Sequence, residues 1–179
     1  MDANRTSVMH NIYNTLFTDN PIHIILLNLA DATMFAFAIT QSLDTLGIPR
    51  SEISDGLGED SAPRRPKVTF LHVSSYINYG ARALEAFGKN SKSLVKLHCV
   101  MHPIIAVKAC QNDKAHAIVS NMSKLHHLKI RKMLIKTKVV LRISSECHDL
   151  KFIDLRGCRD VDDKLLEEKY PRLKTLGPC

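Results

Sequence analysis

The residues best suited to chemistry in this 179-residue sequence are histidines that recur at equivalent positions. Their spacing predicts that His72 and His98 lie on adjacent strands ~4.8 Å apart, and with the nearby His102 they suggest a zinc site. Cys99 cannot complete it, because consecutive residues of a strand point to opposite faces. The pair His126–His127 diverges for the same reason, and the pattern places no carboxylate nearby. We therefore expect neither a metal site nor a cofactor.

The cysteines and the clustered acidic residues do not match a catalytic motif. There is no CxxC pair among Cys99, Cys110, Cys147, Cys158 and Cys179. Three of them, at 99, 147 and 158, fall at repeated positions, which favours small buried hydrophobic groups. The acidic cluster 160–163 lacks the glycine and terminal glutamate of a calcium loop. The sequence also lacks a glycine-rich phosphate loop, GxSxG and HExxH, so we predict a protein that is not an enzyme.

A short apolar pattern determines where these residues lie. It is clearest in Leu150-x-x-Ile153-x-Leu155-x-x-Cys158, which has the spacing of one leucine-rich repeat. Ile153 and Leu155 alternate, so they share one face of a short strand that Cys158 closes. Residues 161–170 then follow a helical period.

The pattern recurs, which makes coincidence a poor explanation. Further copies start at Val68, Leu94, Leu125 and Leu173. The residue three before the starts at 94, 125, 150 and 173 is Ser91, Met122, Cys147 and Tyr170, respectively. Helices are expected at 80–90, 114–122, 137–147 and 161–170, with an insertion at 103–113. The sequence therefore predicts an α/β leucine-rich-repeat solenoid: a short curved parallel sheet with helices on the convex side.

Three regions are expected. Residues 1–49 form an N-terminal helical region with a helix at 8–17 and a degenerate repeat, whose strand starts at Ile24 and whose helix spans 34–46. Residues 50–66 are rich in Ser, Gly, Pro and acidic residues and read as a linker loop. Residues 67–179 hold the repeats. The apolar stretch 22–48 is interrupted by Asp31, and a charge inside a membrane span is costly, so we expect core and no membrane partner.

Charge is divided unevenly along the chain. The formal net charge is +7, but residues 1–60 hold two basic and eight acidic residues, whereas residues 61–179 hold 23 basic and ten acidic residues. The repeat half is therefore the basic half. An odd number of cysteines and no signal peptide favour a reducing compartment, so we expect the cytoplasm, the nucleus or both.

Two segments of the repeat half resemble the later repeats of plant F-box/leucine-rich-repeat proteins. One is residues 83–98, from Ala83-Leu84-Glu85 to Leu97-His98. The other joins residues 150–158 to residues 164–178, and residues 113–125 are similar too. The resemblance covers about residues 66–179. It implies a substrate receptor of a cullin-RING ubiquitin ligase, in which an F-box binds a Skp-type adaptor and the repeats bind the protein to be ubiquitinated.

Residues 1–60 depart from that family plan. An F-box usually begins with Leu-Pro before an apolar helix, and here only residues 20–27 offer an echo, which fits the degenerate repeat equally well. The expectation is a truncated or diverged member without a clear F-box, for which binding of the adaptor and the cullin is doubtful.

In a parallel stack, the residue between the two inward apolar positions faces the concave surface. That rule assigns His72, His98, Lys129, Asp154 and Thr175 to this surface. Their neighbours there are Lys96, His127, Arg131, Lys151 and Arg156.

The predicted concave surface is cationic with one acidic interruption, so the expected partner is a protein with an acidic patch. The partner-binding residues are predicted to be His72, His98, Lys129, Arg131, Asp154 and Arg156. Because histidine titrates near pH ~6.5, binding is expected to tighten between pH 7.5 and 6. The alternative is a basic repeat protein that binds nucleic acid through phosphate contacts, which the scarcity of aromatic residues disfavours.

Overall fold

The computed structural model describes residues 23–25, 44–48, 59, 62–64, 66–75, 80–101 and 112–178. Among these residues, seven strands form one parallel sheet in sequential order. The strands are β1 His23–Ile25, β2 Thr45–Ile48, β3 Phe70–Ser75, β4 Lys96–Met101, β5 His127–Arg131, β6 Phe152–Asp154 and β7 Lys174–Leu176. The helices are α1 Ala81–Asn90, α2 Asn112–Asn121, α3 Thr137–Glu146 and α4 Asp163–Lys169, and Ala62–Arg64 is a 3-10 turn.

The core lies between one face of the sheet and the helices. Leu71, Leu97, Leu128 and Ile153 pair across four strands and form a fully buried row. Val73, Cys99 and Ile130 form a second buried row two residues further on, as the two-residue period of a strand requires. Buried helix residues such as Leu84, Phe87, Ile118, Ile143 and Leu166 belong to the same core. The predicted α/β class with a parallel sheet and a helical layer is confirmed.

The same backbone turn joins helix to strand in successive repeats. The N–H groups of Ser91, Met122, Cys147 and Tyr170 each donate to the carbonyl four residues earlier, at 2.8–2.9 Å. Their own carbonyls accept the N–H three residues later, at 2.9–3.3 Å. The recurring position found in the sequence is therefore the residue at which each helix ends and the chain turns into the next strand.

The N-terminal predictions are changed in part. Leu46, expected near the end of a helix, is a fully buried residue of β2 that pairs with Leu71, so this part of the predicted helix 34–46 is wrong. Within the expected linker, Ala62 is fully buried and Glu59 forms an ion pair with Arg82 of α1. Those linker residues therefore pack on the helical layer. The predicted helix at 8–17 lies outside the described residues.

In β7, the pairing register is shifted by one residue from the register that the repeat spacing predicts. Ile153 pairs with Thr175 and Asp154 with Leu176, so Thr175 aligns with the buried row and its assignment to the polar face is wrong. The shift arises after the turn: the strand begins five residues beyond the turn residue in β4, β5 and β6, but four residues beyond Tyr170 in β7. The strand before it also ends early, because β6 stops at Asp154 and Cys158 lies in the following turn.

Three thiols are buried within this architecture. Cys99, Cys147 and Cys158 are free and buried, as predicted. The Cys158 Sγ donates to the Ile130 carbonyl at 2.8 Å, and the Cys147 Sγ donates to the Met122 carbonyl at 3.5 Å. Burial raises the pKa of Cys147 and of Cys158 to about 11 and also raises that of Cys99, so all three are neutral thiols near pH 7.

No helix within the described part of the chain combines the length and the apolar character that a bilayer crossing requires.

Candidate functional site

The face of the sheet opposite the helices carries polar and aromatic side chains in two rows. One row is Phe70, Lys96, His127 and Phe152, and the other is His72, His98, Lys129 and Asp154. With Arg131 and Arg156, these residues form what we call the open face. Most of its side chains are half-buried, and Arg156 is exposed. The register therefore brings together residues from four strands, of which the most distant in sequence, Phe70 and Asp154, are 84 positions apart.

Five rings on the open face form a continuous ring strip: Phe70, His72, His98, His127 and Phe152. The centroids of His72 and His98 are 5.7 Å apart, and those of His98 and His127 are 5.6 Å apart. Phe152 stacks on His127 at 4.2 Å, and Phe70 meets the edge of His98 at 4.6 Å. The Lys96 ammonium lies 4.6 Å from the centre of the Phe70 ring, a cation–π contact.

The histidines of the strip are neutral near pH 7. Burial, followed by the charge of Lys129 and then by those of Lys96 and the other histidines, lowers the pKa of His98 to about 3. Burial also lowers the pKa of His72 and of His127 from the ordinary 6.5. His98 is therefore uncharged between pH 7.5 and 6 in the free protein, and the lowered pKa of His72 and of His127 reduces their charge in that range. This weakens the basis of the expected tightening of binding between pH 7.5 and 6, which stays a prediction.

A buried carboxylate organises the arginines at one end of the open face. Asp154 is wholly buried and accepts hydrogen bonds from the Arg156 side chain at 2.9 and 2.7 Å and from its backbone N–H at 3.2 Å. The Arg131 Nε lies 3.9 Å away. Burial alone would raise the pKa of Asp154, but the Arg156 hydrogen bonds and the charges of both arginines lower it overall. Asp154 is therefore ionised, and it holds the side chains of Arg156 and Arg131 in place. Because it is wholly buried, it presents no acidic surface, in contrast to its predicted role as a residue that contacts the partner directly.

The structure places the other predicted residues as follows. His72, His98 and Lys129 lie side by side on three adjacent strands, in the arrangement that the spacing predicted. Lys151 is exposed and precedes β6 rather than joining either row.

Sequence reasoning missed Phe70 and Phe152. The signal was available: both stand immediately before an inward apolar residue, at the position that holds Lys96 and His127 in the other copies.

No group of three metal-ligating side chains that could hold an ion occurs in the part of the chain that the structure describes. The open face also has polar atoms without hydrogen-bond partners among the described residues, namely the Nε2 atoms of His98 and His127 and the Nε of Arg131. Such atoms are costly when they stay unpaired. The geometry is suited to non-covalent binding, and it defines an α/β repeat protein with an open sheet face.

Comparison with known proteins finds plant F-box proteins among those similar to this chain. The chain is 40% identical over 140 residues to the F-box protein FBW2 of Arabidopsis thaliana, a match covering 76% of this chain and 44% of that protein. It is 26% identical over 150 residues to the Arabidopsis thaliana protein named "Putative F-box/LRR-repeat protein 23", covering 82% of this chain and 33% of that protein. No protein-family model matches.

The chain is therefore a homologue of plant F-box proteins, and the resemblance predicted from the sequence is confirmed. It spans less than half the length of each of these curated relatives.

Proposed function

We propose that this chain is a protein-recognition module, the substrate-binding part of an F-box/leucine-rich-repeat ubiquitin-ligase receptor. The observation that carries the proposal is the open face, a continuous surface across four parallel strands whose other side is covered by helices. Strand-borne side chains are rigidly placed, which lowers the entropy lost on binding. The proposal assigns the chain no catalytic step of its own.

We further propose that the repeats are leucine-rich repeats in a curved solenoid. Two observations support this: apolar residues recur at the first, fourth and sixth positions of the copies that start at 68, 94, 125 and 150, and one homologue is named a putative F-box/LRR-repeat protein. Stacked repeats of this kind generate extended binding surfaces. The open face would then be the concave face.

Charge supports a partner with an acidic patch. Lys96 and Lys129 have no acidic partner among the described residues, and Arg131 and Arg156 outnumber the one carboxylate that they share. Complementary charge acts mainly on the association rate and on specificity. Because the imidazoles are uncharged near pH 7, the lysines and arginines of the open face supply this electrostatic attraction.

The test is affinity purification of the full chain in parallel with two charge-reversal variants. Lys129→Glu changes the open face, and Lys138→Glu changes an exposed position on α3, the helical side. We expect at least one partner to be retained by Lys138→Glu and lost by Lys129→Glu. The half-life of that partner should lengthen when the chain is removed from cells and when the proteasome is inhibited.

Two results would contradict the proposal. One is a partner lost by Lys138→Glu and kept by Lys129→Glu, which would place binding on the helices. The other is a partner of the open face whose half-life does not depend on this chain, which would separate recognition from ubiquitination.

A further inference from the structure

The ring strip has a composition that charge recognition alone does not explain. Phe70 and Phe152 are not needed for the core, which is filled from the opposite face of the same strands. Both phenyl rings are nevertheless half-exposed on the solvent side, held against imidazoles at 4.6 and 4.2 Å. A row of half-exposed aromatic rings is typical of an interaction site, because interfaces are enriched in aromatic residues.

We propose that the ring strip binds an extended segment of a partner protein in which an aromatic side chain is flanked by acidic residues. The inference rests on the proposed function and specifies the chemistry of its partner. The ring strip binds the aromatic side chain of the partner, and the lysines beside the strip favour acidic residues on either side of that aromatic residue.

The aromatic anchor follows from the rings. Interface hot spots are enriched in aromatic residues that enter well-packed, desolvated surfaces. A partner ring can add to the strip face-on, as Phe152 does to His127, or edge-on, as Phe70 does to His98. Because the imidazoles are neutral near pH 7, they act here as flat rings with one donor and one acceptor nitrogen.

The acidic flanks follow from the charges. Lys96 lies over Phe70, and Lys129 pairs in register with His98, so cations border the strip in both rows. Neither lysine has an acidic partner among the described residues. A carboxylate of the partner segment can therefore pair with either ammonium group.

The length of the segment follows from strand geometry. The strip crosses β3 to β6, which at ~4.8 Å per strand is about 14 Å. An extended chain rises ~3.3 Å per residue, so four or five residues cover it. This argues for a short linear motif rather than a folded surface.

A nucleic acid strand fits these observations less well. Stacking on rings would be available, but the open face carries four cations among the described residues, and two of them, Arg131 and Arg156, share the carboxylate of Asp154. Tight sequence-independent binding uses many phosphate contacts.

The experiment is selection of a displayed library of random 12-residue peptides on the immobilised full chain. We expect enriched peptides to share an aromatic residue with Asp or Glu within two positions. Synthetic versions with tryptophan at the aromatic position can be measured by fluorescence, because the chain contains no tryptophan. We expect Phe152→Ala to weaken their binding about tenfold, through loss of stacking and apolar contact.

Two controls separate anchoring from folding and from non-specific attraction. Phe152→Leu keeps apolar bulk and should fold like the parent by circular dichroism, yet weaken binding by removing the stacked ring. Lys138→Glu, on the helical face, should leave binding unchanged.

Selected peptides without the aromatic–acidic combination, peptides indifferent to both Phe152 variants, or no enrichment at all would overturn the inference. So would tighter, Phe152-dependent binding of oligouridine than of any selected peptide. None of these outcomes touches the half-life measurement that tests the proposed function, so the two can fail separately.

Discussion

At the scale of single residues, the open face depends on a carboxylate that no partner can reach. Asp154 is wholly buried beneath Arg156 and lies near Arg131. Its sequence position marked it as an acidic surface residue, because alternation along a strand tells which side a residue takes but not what folds over it. At the surface, Asp154 acts only through the two guanidinium groups that it positions, those of Arg156 and Arg131.

Removing that carboxylate should destabilise the fold. We expect Asp154→Ala to lower the free energy of unfolding by about 1–3 kcal/mol, less than a fully buried pair because both arginines can regain water. Urea unfolding of Asp154→Ala measures this loss of stability, and Asp160→Ala, at an exposed position, is the control. Equal midpoints for the two variants would show that the arginines gain nothing from Asp154.

His98 should make stability depend on pH. Its pKa is about 3 in the fold, where burial disfavours the cation, against 6.5 in the unfolded chain. Between those values the unfolded chain holds a proton that the folded chain lacks, so stability falls as pH falls from 6.5 toward 3. We expect His98→Gln to flatten the fall of the melting temperature between pH 6.5 and 4. Exposed His148→Gln should not, and a parallel loss of slope in both variants would remove His98 as its source.

At the scale of elements, each strand–turn–helix unit is stabilised by apolar rows that continue into its neighbours. Leu155 is fully buried, and its N–H donates to the Leu176 carbonyl of β7 at 2.9 Å. The residue therefore joins the last two units through both packing and backbone.

Leu155→Ala should cost ~2–5 kcal/mol of stability through lost burial and a residual cavity. Because repeat stability is a sum of local terms, hydrogen exchange should accelerate most in β6, α4 and β7. Lys164→Ala, exposed on α4, is the control. Uniform acceleration across the sheet would mean that the units do not open separately.

The sequence predicts the inner side of these elements better than their outer side. Rows such as Leu97–Leu128–Ile153 follow from a strict period because burial tolerates few residue types. Phe70 and Phe152 were not predicted because their outward-facing position holds different residue types in successive copies, namely phenylalanine, lysine and histidine, so no single type marks it. The phase shift at Thr175 could not be predicted either, since the turn at Tyr170 recurs as in the earlier copies and the shift arises only between that turn and β7.

At the scale of the whole molecule, the chain separates an acidic N-terminal third from a basic repeat region. Residues 23–25 of the stretch that echoes an F-box form β1 and pair with β2. A segment used as a sheet strand is not free to present an adaptor-binding helix.

We therefore expect this 179-residue chain to bind a Skp-type adaptor weakly or not at all. Calorimetric titration of the purified adaptor into the full chain measures this, with a plant F-box protein of established adaptor binding as the positive control. A complex that survives gel filtration at micromolar concentration would contradict the expectation and assign adaptor binding to residues 1–60 or to the repeats.

The buried thiols offer a means to follow how this molecule comes apart. Cys99, Cys147 and Cys158 belong to successive units, and as neutral thiols shielded from solvent they cannot react with a labelling reagent until their own unit opens. The native chain therefore carries a reporter in each of three successive units, with no engineered probe required. The order in which the three cysteines become alkylated, resolved by peptide mass, would show whether unfolding begins at the β7 end of the sheet and moves inward.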